Sequence, residues 1–219
     1  MLTDILAILF LVVLEGLLSF DNALALAAMV KPLPQHLQKK ALTYGIYGAF
    51  IFRFIAVFLL LDFLHYPLVK LAGGSYLVWL GIKHLLIEED EQAVKTITTT
   101  AFIQAIVMVE LTDIAFSIDS ILAAVAVSSK TYIVVTGGII GIIMMRFAST
   151  IFIKLIDIFP RLVTSAFLLV TAVGLKLLLE VQPLVQINFH EGAAAIGFWL
   201  VMIAALAYGF TEKQAKEQA

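Results

Sequence analysis

The chain has 219 residues, 62% of them hydrophobic and only 14% charged, with a mean hydropathy of +1.06 and a formal net charge of -2. An apolar share this far above the roughly one half of soluble domains excludes a water-soluble fold and marks an integral membrane protein. The small net charge gives no footing for a nucleic-acid partner, and the lack of cysteine excludes disulfides and thiolate metal sites.

Seven predominantly apolar segments run over residues 5–30, 41–61, 67–86, 100–127, 131–153, 161–180 and 194–210. Each has the roughly 20 residues that cross about 30 Å of hydrocarbon at a helical rise of about 1.5 Å per residue. Strand-like alternation is absent, so the expected fold is an all-α membrane protein of seven transmembrane helices rather than a barrel. The first segment carries Asp4 and no Lys or Arg at its start, and its apolar run continues to Met29. It reads as a retained helix, not a removable signal peptide. Lys31, Lys39, Lys40, Lys95, Lys154, Arg161, Lys213 and Lys216 gather on one side, against Lys130 and Lys70 on the other. The excess of positive charge expected in cytoplasmic loops puts the N-terminus outside and the C-terminus in the cytoplasm of an inner or plasma membrane.

The chain repeats itself. Gly45-Ile-Tyr-Gly48 with Arg53-Phe54 recurs 93 residues later as Gly138-Ile-Ile-Gly141 with Arg146-Phe147, and the same shift carries Pro67 onto Pro160, Gly81 onto Gly174 and Lys83 onto Lys176. A shift of 98 carries Ser19-Phe-Asp21-Asn22 onto Ser117-Ile-Asp119-Ser120 and Glu15 onto Asp113. Residues 1–219 thus form one transmembrane domain: repeat 1 over 1–86, repeat 2 over 100–180, and an extra helix over 194–210. Three crossings per unit make the second unit inverted, an arrangement that in transporters places the substrate site near the bilayer midplane.

Five acids lie inside apolar segments: Glu15 and Asp21 in the first, Glu110, Asp113 and Asp119 in the fourth. At roughly 2.5 to 3.5 kcal/mol for a central Asp, they cost on the order of 13 kcal/mol before compensation. Protonation, ion pairing or a bound cation could offset this. Lys83 and Lys176 lie near helix ends and can snorkel, which leaves Arg53 and Arg146 as deep counter-charges that hold the acids when the site is empty. Ser-x-Asp-Asn and Ser-x-Asp-Ser place N-cap residues in mid-membrane, so both acidic helices are expected to break near Ser19 and Ser117 and restart as half-helices. Carboxylates, the Asn22 amide and the Ser120 and Thr112 hydroxyls form an all-oxygen set suited to Mn²⁺, Mg²⁺ or Ca²⁺. Ligand type alone leaves the choice among these open. His36, His65, His84 and His190 stand apart and take no metal role, while Glu88-Glu-Asp-Glu91 reads as a solvated acidic loop.

Glu15-x5-Asp21-Asn22 and Glu110-x2-Asp113-x5-Asp119-Ser120 resemble the paired acidic signatures of the TerC family of bacterial and plastid membrane proteins, over essentially the whole chain. The resemblance implies manganese export from the cytoplasm, and in some bacteria metal delivery to secreted enzymes near the protein secretion translocon. It assigns Glu15, Asp21, Glu110, Asp113 and Asp119 to the ion, with Asn22 and Ser120 at the adjoining polar positions. The expected mechanism is alternating access with proton antiport, and no enzyme activity. An intramembrane aspartyl hydrolase would require a close catalytic pair, and no Gly-x-Gly-Asp-like arrangement occurs. Export of calcium or magnesium, or a role as a translocon-associated metalation or assembly factor, are the alternatives.

Overall fold

A computed structural model describes residues 2–59, 67–86, 99–128, 130–181 and 191–211. The loop Glu88–Glu91, His65, Lys95, His190, Lys213, Lys216 and the side chain of Asp119 lie outside the described residues. All elements among the described residues are helical: α1 Leu2–Leu18, α2 Phe20–Val30, α3 Gln35–Leu59, α4 Pro67–Leu86, α5 Thr99–Val127, α6 Thr131–Ile158, α7 Leu162–Leu179 and α8 Glu191–Gly209.

The two acidic segments behave differently. The first is interrupted at Ser19, whose backbone (φ -101°, ψ 7°) leaves the helical region. The ladder bonds of Ser19 itself persist, from its amide to the Glu15 carbonyl (2.8 Å) and from the Ala23 amide to its carbonyl (2.9 Å). The interruption is therefore a one-residue distortion. The Ser19 side chain makes no cap bond; instead the Asn22 amide donates to the Asp21 carboxylate (3.0 Å), a local alternative to the helical ladder that short polar side chains offer. The second expected break does not occur. α5 runs unbroken through Ser117, and the Ser120 hydroxyl bonds back to the Ser117 carbonyl at 3.3 Å, which a continuous helix accommodates.

By length and composition, three helices suffice to cross a bilayer: 35–58, 131–158 and 162–179. The other segments contain shorter apolar helices or carry charge: Ser19 divides the first, α4 holds Lys70 and Lys83, and α5 holds three acids. The burial pattern is that of a membrane protein. Phe54, Phe147, Ile196 and Leu200 are largely exposed on the periphery, while Glu15, Asp21, Asn22, Arg53, Thr112 and Asp113 are buried. α2 lies in the centre, buried from Asp21 to Val30, and packs on α6, α7 and α5.

Close approaches fix the helix directions. Leu11 packs on Gly137, Glu15 on Gly141 and Gly16 on Met144, so α1 and α6 run parallel. Tyr44 meets Phe102, Gly48 meets Glu110 and Arg53 meets Ser120, so α3 and α5 run parallel. α4 and α7 are antiparallel and touch through backbone: a Cβ on Gly174 would lie 2.8 Å from the Gly74 carbonyl oxygen, and one on Gly81 2.8 Å from that of Phe167. Gly81 and Gly174 are 93 residues apart, as are Gly74 and Phe167, so each contact is the other displaced by the same shift. The glycines here bring two helix backbones together, which a larger residue would prevent.

Candidate functional site

The site lies where α1, α3, α5 and α6 meet. Glu15, buried on α1, accepts from Arg53 Nη2 at 2.6 Å. The same guanidinium donates to the Ser120 hydroxyl (2.8 Å) on α5 and, through Nη1, to the Gly138 carbonyl (3.0 Å) on α6. One side chain thus ties three other helices together. A buried pair of this kind persists only when further hydrogen bonds satisfy the charges, which Ser120 and Gly138 do; Arg53 Nε alone has no partner. Gly138 and Gly141 make the pair possible. A Cβ on Gly138 would lie 2.7 Å from Arg53 Cδ, and one on Gly141 would overlap the Glu15 stem.

The second glycine pair does the equivalent work for a different acid. The Glu110 carboxylate lies against Gly48, with Gly45 beside it, where a Cβ would sit 3.6 Å from Glu110 Oε1. Gly48 and Gly141, 93 residues apart in the sequence, thus each face a glutamate, Glu110 and Glu15 respectively.

Arg146 departs from the expected role of counter-charge. Its Nη2 donates to the Lys39 carbonyl (2.7 Å) and the Thr43 hydroxyl (3.2 Å), Nη1 is buried without a partner, and no carboxylate pairs with it among the described residues. Beside it is a crevice of about 10 Å³, room for one water-sized sphere, walled by Leu26, Gly45, Asp113, Arg146 and Ser149 among others. Asp113 is buried and senses both Arg53 and Glu15 electrostatically, while Glu110 in turn is repelled by Asp113. Neither Glu110 nor Asp113 has a hydrogen-bond or ion-pair partner among the described residues.

On α2, Asp21 and Asn22 are buried, and Asn22 Oδ1 is an acceptor without a donor. Thr112, fully buried, shares a 3.2 Å hydrogen bond with the Tyr76 hydroxyl. The structure therefore brings Glu15, Arg53 and Ser120 into direct contact and sets Asp113 within electrostatic range of them. Among the described residues no three acidic or histidine side chains converge closely enough to hold a metal ion. In the sequence Gly48 and Gly141 stand out only as members of the repeated motif. Their register with the acids, each facing a glutamate across a helix interface, emerges only in three dimensions. Ser149, part of the crevice wall, carries no signal in the sequence beyond being a small polar residue in an apolar run.

Among the described residues, fold and site define a multi-pass, all-helical membrane protein with four charged side chains, Glu15, Asp21, Arg53 and Asp113, buried in its interior. The chain belongs to the TerC family: the family model described as the integral membrane protein TerC family matches residues 1–216. Among its relatives are two membrane proteins of Bacillus subtilis strain 168. YceF is 43% identical over 95% of this chain and 84% of its own length, and YkoY is 36% identical over 96% and 73%. The thylakoid membrane protein TERC of Arabidopsis thaliana is 28% identical over 77% of this chain and 52% of its own. No solved structure matches the chain.

Proposed function

We propose that the protein exports Mn²⁺ from the cytoplasm by alternating access, as seven transmembrane helices: two inverted three-helix units and a seventh helix. The observation that carries this reading is the pair of reciprocal contacts. Gly81 on Phe167 answers Gly174 on Gly74 with a displacement of 93 residues, and Glu15 on Gly141 answers Glu110 on Gly48, the glycines 93 and the glutamates 95 residues apart. Reciprocity of this sort is what a two-fold relation between the units produces. The antiparallel α4 and α7, with parallel α1 and α6 and parallel α3 and α5, fit a chain that crosses seven times. Ion pairs between helix ends agree with the alternation: Asp4 with Lys130 and Lys70 with Glu180 at one end, Lys31 with Asp157 at the other. The counted loop charges put the first end outside, with the N-terminus, and the C-terminus in the cytoplasm of the inner or plasma membrane.

The cargo is a hard dication because the donors we assign to it are oxygens: Asp113 in its crevice, the unpartnered Asn22 amide oxygen, Asp21, whose carboxylate also accepts from the Asn22 amide, Glu110 and, by sequence, Asp119. Glu15 and Ser120 join them when Arg53 moves away. A crevice with room for one water admits a largely stripped ion. Export against an inside-negative potential costs about 2.3 kcal/mol per charge per 100 mV, so proton antiport through the unpaired carboxylates is the coupling we assign. No catalytic role is assigned. The test is Mn²⁺ efflux from proteoliposomes with the native protein, Asp21→Asn, Asp113→Asn and Asp119→Asn, with Ca²⁺ and Mg²⁺ as competitors. Loss of efflux in the folded variants supports the site; equal efflux from all four refutes it. A native protein that carries no ion returns the reading to a translocon-associated metalation or assembly factor, and preference for a competitor reassigns the cargo.

A further inference from the structure

The two repeat-related arginines are in different states, and the difference is the informative feature. Arg53 bridges the glutamate cradled on Gly141 to the Gly138 carbonyl. The repeat shift of 93 relates Arg53 to Arg146, Gly138 to Gly45 and Gly141 to Gly48; the glutamate cradled on Gly48 is Glu110, 95 residues after Glu15, so the matching bridge would join Glu110 to the Gly45 carbonyl through Arg146. That second bridge is not formed. Arg146 is instead drawn to Lys39 and Thr43, leaving one of its nitrogens buried and unsatisfied, and the crevice opens between Arg146, Gly45 and Asp113.

The two positions also lie toward opposite ends of the bundle. Arg53 and Ser120 are in the last third of α3 and α5, and Gly138 is in the first third of α6, toward the end that holds Asp4 and Lys130. Lys39 and Thr43 are in the first third of α3, toward the end that holds Lys31 and Asp157. Thr43 has a threonine as its repeat mate, Thr136, so Arg53 has an equivalent resting place in α6 when its own bridge is open.

We infer that Arg53 and Arg146 are alternate gates of one ion path. Each closes one end by joining a glycine-cradled glutamate to the carbonyl of a glycine on another helix, and only one of the two bridges is formed at a time. This rests on the inverted-repeat transporter reading above and adds to it the groups that exchange. The arginine serves as a tethered cation: it occupies Glu15 in the state described here, and a dication arriving at Asp113 from the open end competes for the same carboxylate. A ligand shifts such an equilibrium only through unequal affinity for the two states, and competition for Glu15 supplies that inequality.

The natural lack of cysteine allows the test. Ala56 and Ser149 are repeat mates (56 + 93 = 149), each three residues beyond its arginine and each fully buried, and only Ser149 is in the crevice wall. Single-cysteine proteins Ala56→Cys and Ser149→Cys are reconstituted and exposed from either face of the vesicle to Ag⁺, a thiol-reactive ion small enough for the crevice, and the thiols left unreacted are labelled with a maleimide after unfolding in SDS. Ser149→Cys is expected to react at least tenfold faster from the face bearing Lys31, with Ala56→Cys protected from both. Adding Arg53→Gln is expected to reverse this: Ala56→Cys becomes reactive from the opposite face and Ser149→Cys slows. Glu15→Gln, which breaks the bridge from its other side, must do the same, and it stands in if Arg53→Gln does not fold. Arg146→Gln is expected to leave Ser149→Cys reactive and Ala56→Cys protected. Unchanged labelling on loss of Arg53 or Glu15, or simultaneous opening of both faces, would overturn the exchange. Efflux is read separately: Mn²⁺ transport with unchanged labelling removes the gates and keeps the transporter, whereas switched labelling without transport of any tested ion removes the cargo and keeps the gates.

Discussion

Replacing Gly141 and Gly48 by alanine is a sharp test of the site, because the two positions are repeat mates with different surroundings. A methyl group at Gly141 would overlap Glu15 Cγ and lie 3.0 Å from its Cβ and Cδ. Those atoms belong to the stem of a side chain whose tip is held by Arg53 at 2.6 Å, so either α1 must move or the bridge must open. Overpacking costs roughly 1 to 3 kcal/mol, and weakening a charge-assisted hydrogen bond adds about 1.5 kcal/mol. Against this stands a gain of about 1 kcal/mol from replacing glycine inside a helix. The net for Gly141→Ala is a loss of about 2 kcal/mol, some thirtyfold in the folding equilibrium. At Gly48 the methyl meets only the carboxylate end of Glu110, which has no described partner and can rotate away. The helix gain then cancels an off-rotamer cost of about 1 kcal/mol, and Gly48→Ala is expected to be neutral. Equilibrium unfolding in mixed micelles containing increasing SDS, followed by helical circular dichroism, measures both. Equal shifts for the two variants, or a neutral Gly141→Ala, would refute the picture of a locked Glu15 and a free Glu110.

Arg53→Ala strands a buried carboxylate and is expected to cost about 3 to 5 kcal/mol in the same unfolding assay. Arg146→Ala, which loses only neutral acceptors, is expected to cost about 1 kcal/mol. Gly174→Ala would drive a methyl to 2.8 Å from both the Gly74 carbonyl and the Val78 amide, backbone atoms that cannot rotate away, so a loss of about 3 kcal/mol is expected; Gly197→Ala, with nothing within 4 Å, is the control and is expected to gain about 1 kcal/mol. At the end of α7, burial raises the Glu180 carboxyl, but the hydrogen bond from Lys70 and the charge and hydrogen bond of Lys176 outweigh it and hold the group below its ordinary 4.5. A depressed folded-state value stabilises the fold above pH 4.5 and loses that contribution as pH falls through the lowered value. Thermal unfolding of the native protein is therefore expected to weaken more steeply on acidification below pH 4.5 than that of Glu180→Gln.

The apolar, all-helical character and the burial of Glu15, Asp21 and Asp113 inside apolar segments were legible in the sequence, because hydropathy and spacing are properties of the chain alone. So was the distortion at Ser19, where a polar Ser-x-Asp-Asn run offers the backbone local acceptors. The similar run at Ser117 gave the same signal without a break, since local propensity is overridden where a helix such as α5 packs against several neighbours. Tertiary structure alone decided which acid meets which cation. Arg53 and Arg146 sit in near-identical Gly-x-x-Gly contexts, yet one is paired with a glutamate and the other with a carbonyl and a hydroxyl. Their partners lie 38 or more residues away along the chain, on helices whose relative placement is set by packing. A sequence that repeats a motif can therefore carry two different local arrangements of it, because packing, not the motif, decides which acceptor each guanidinium reaches.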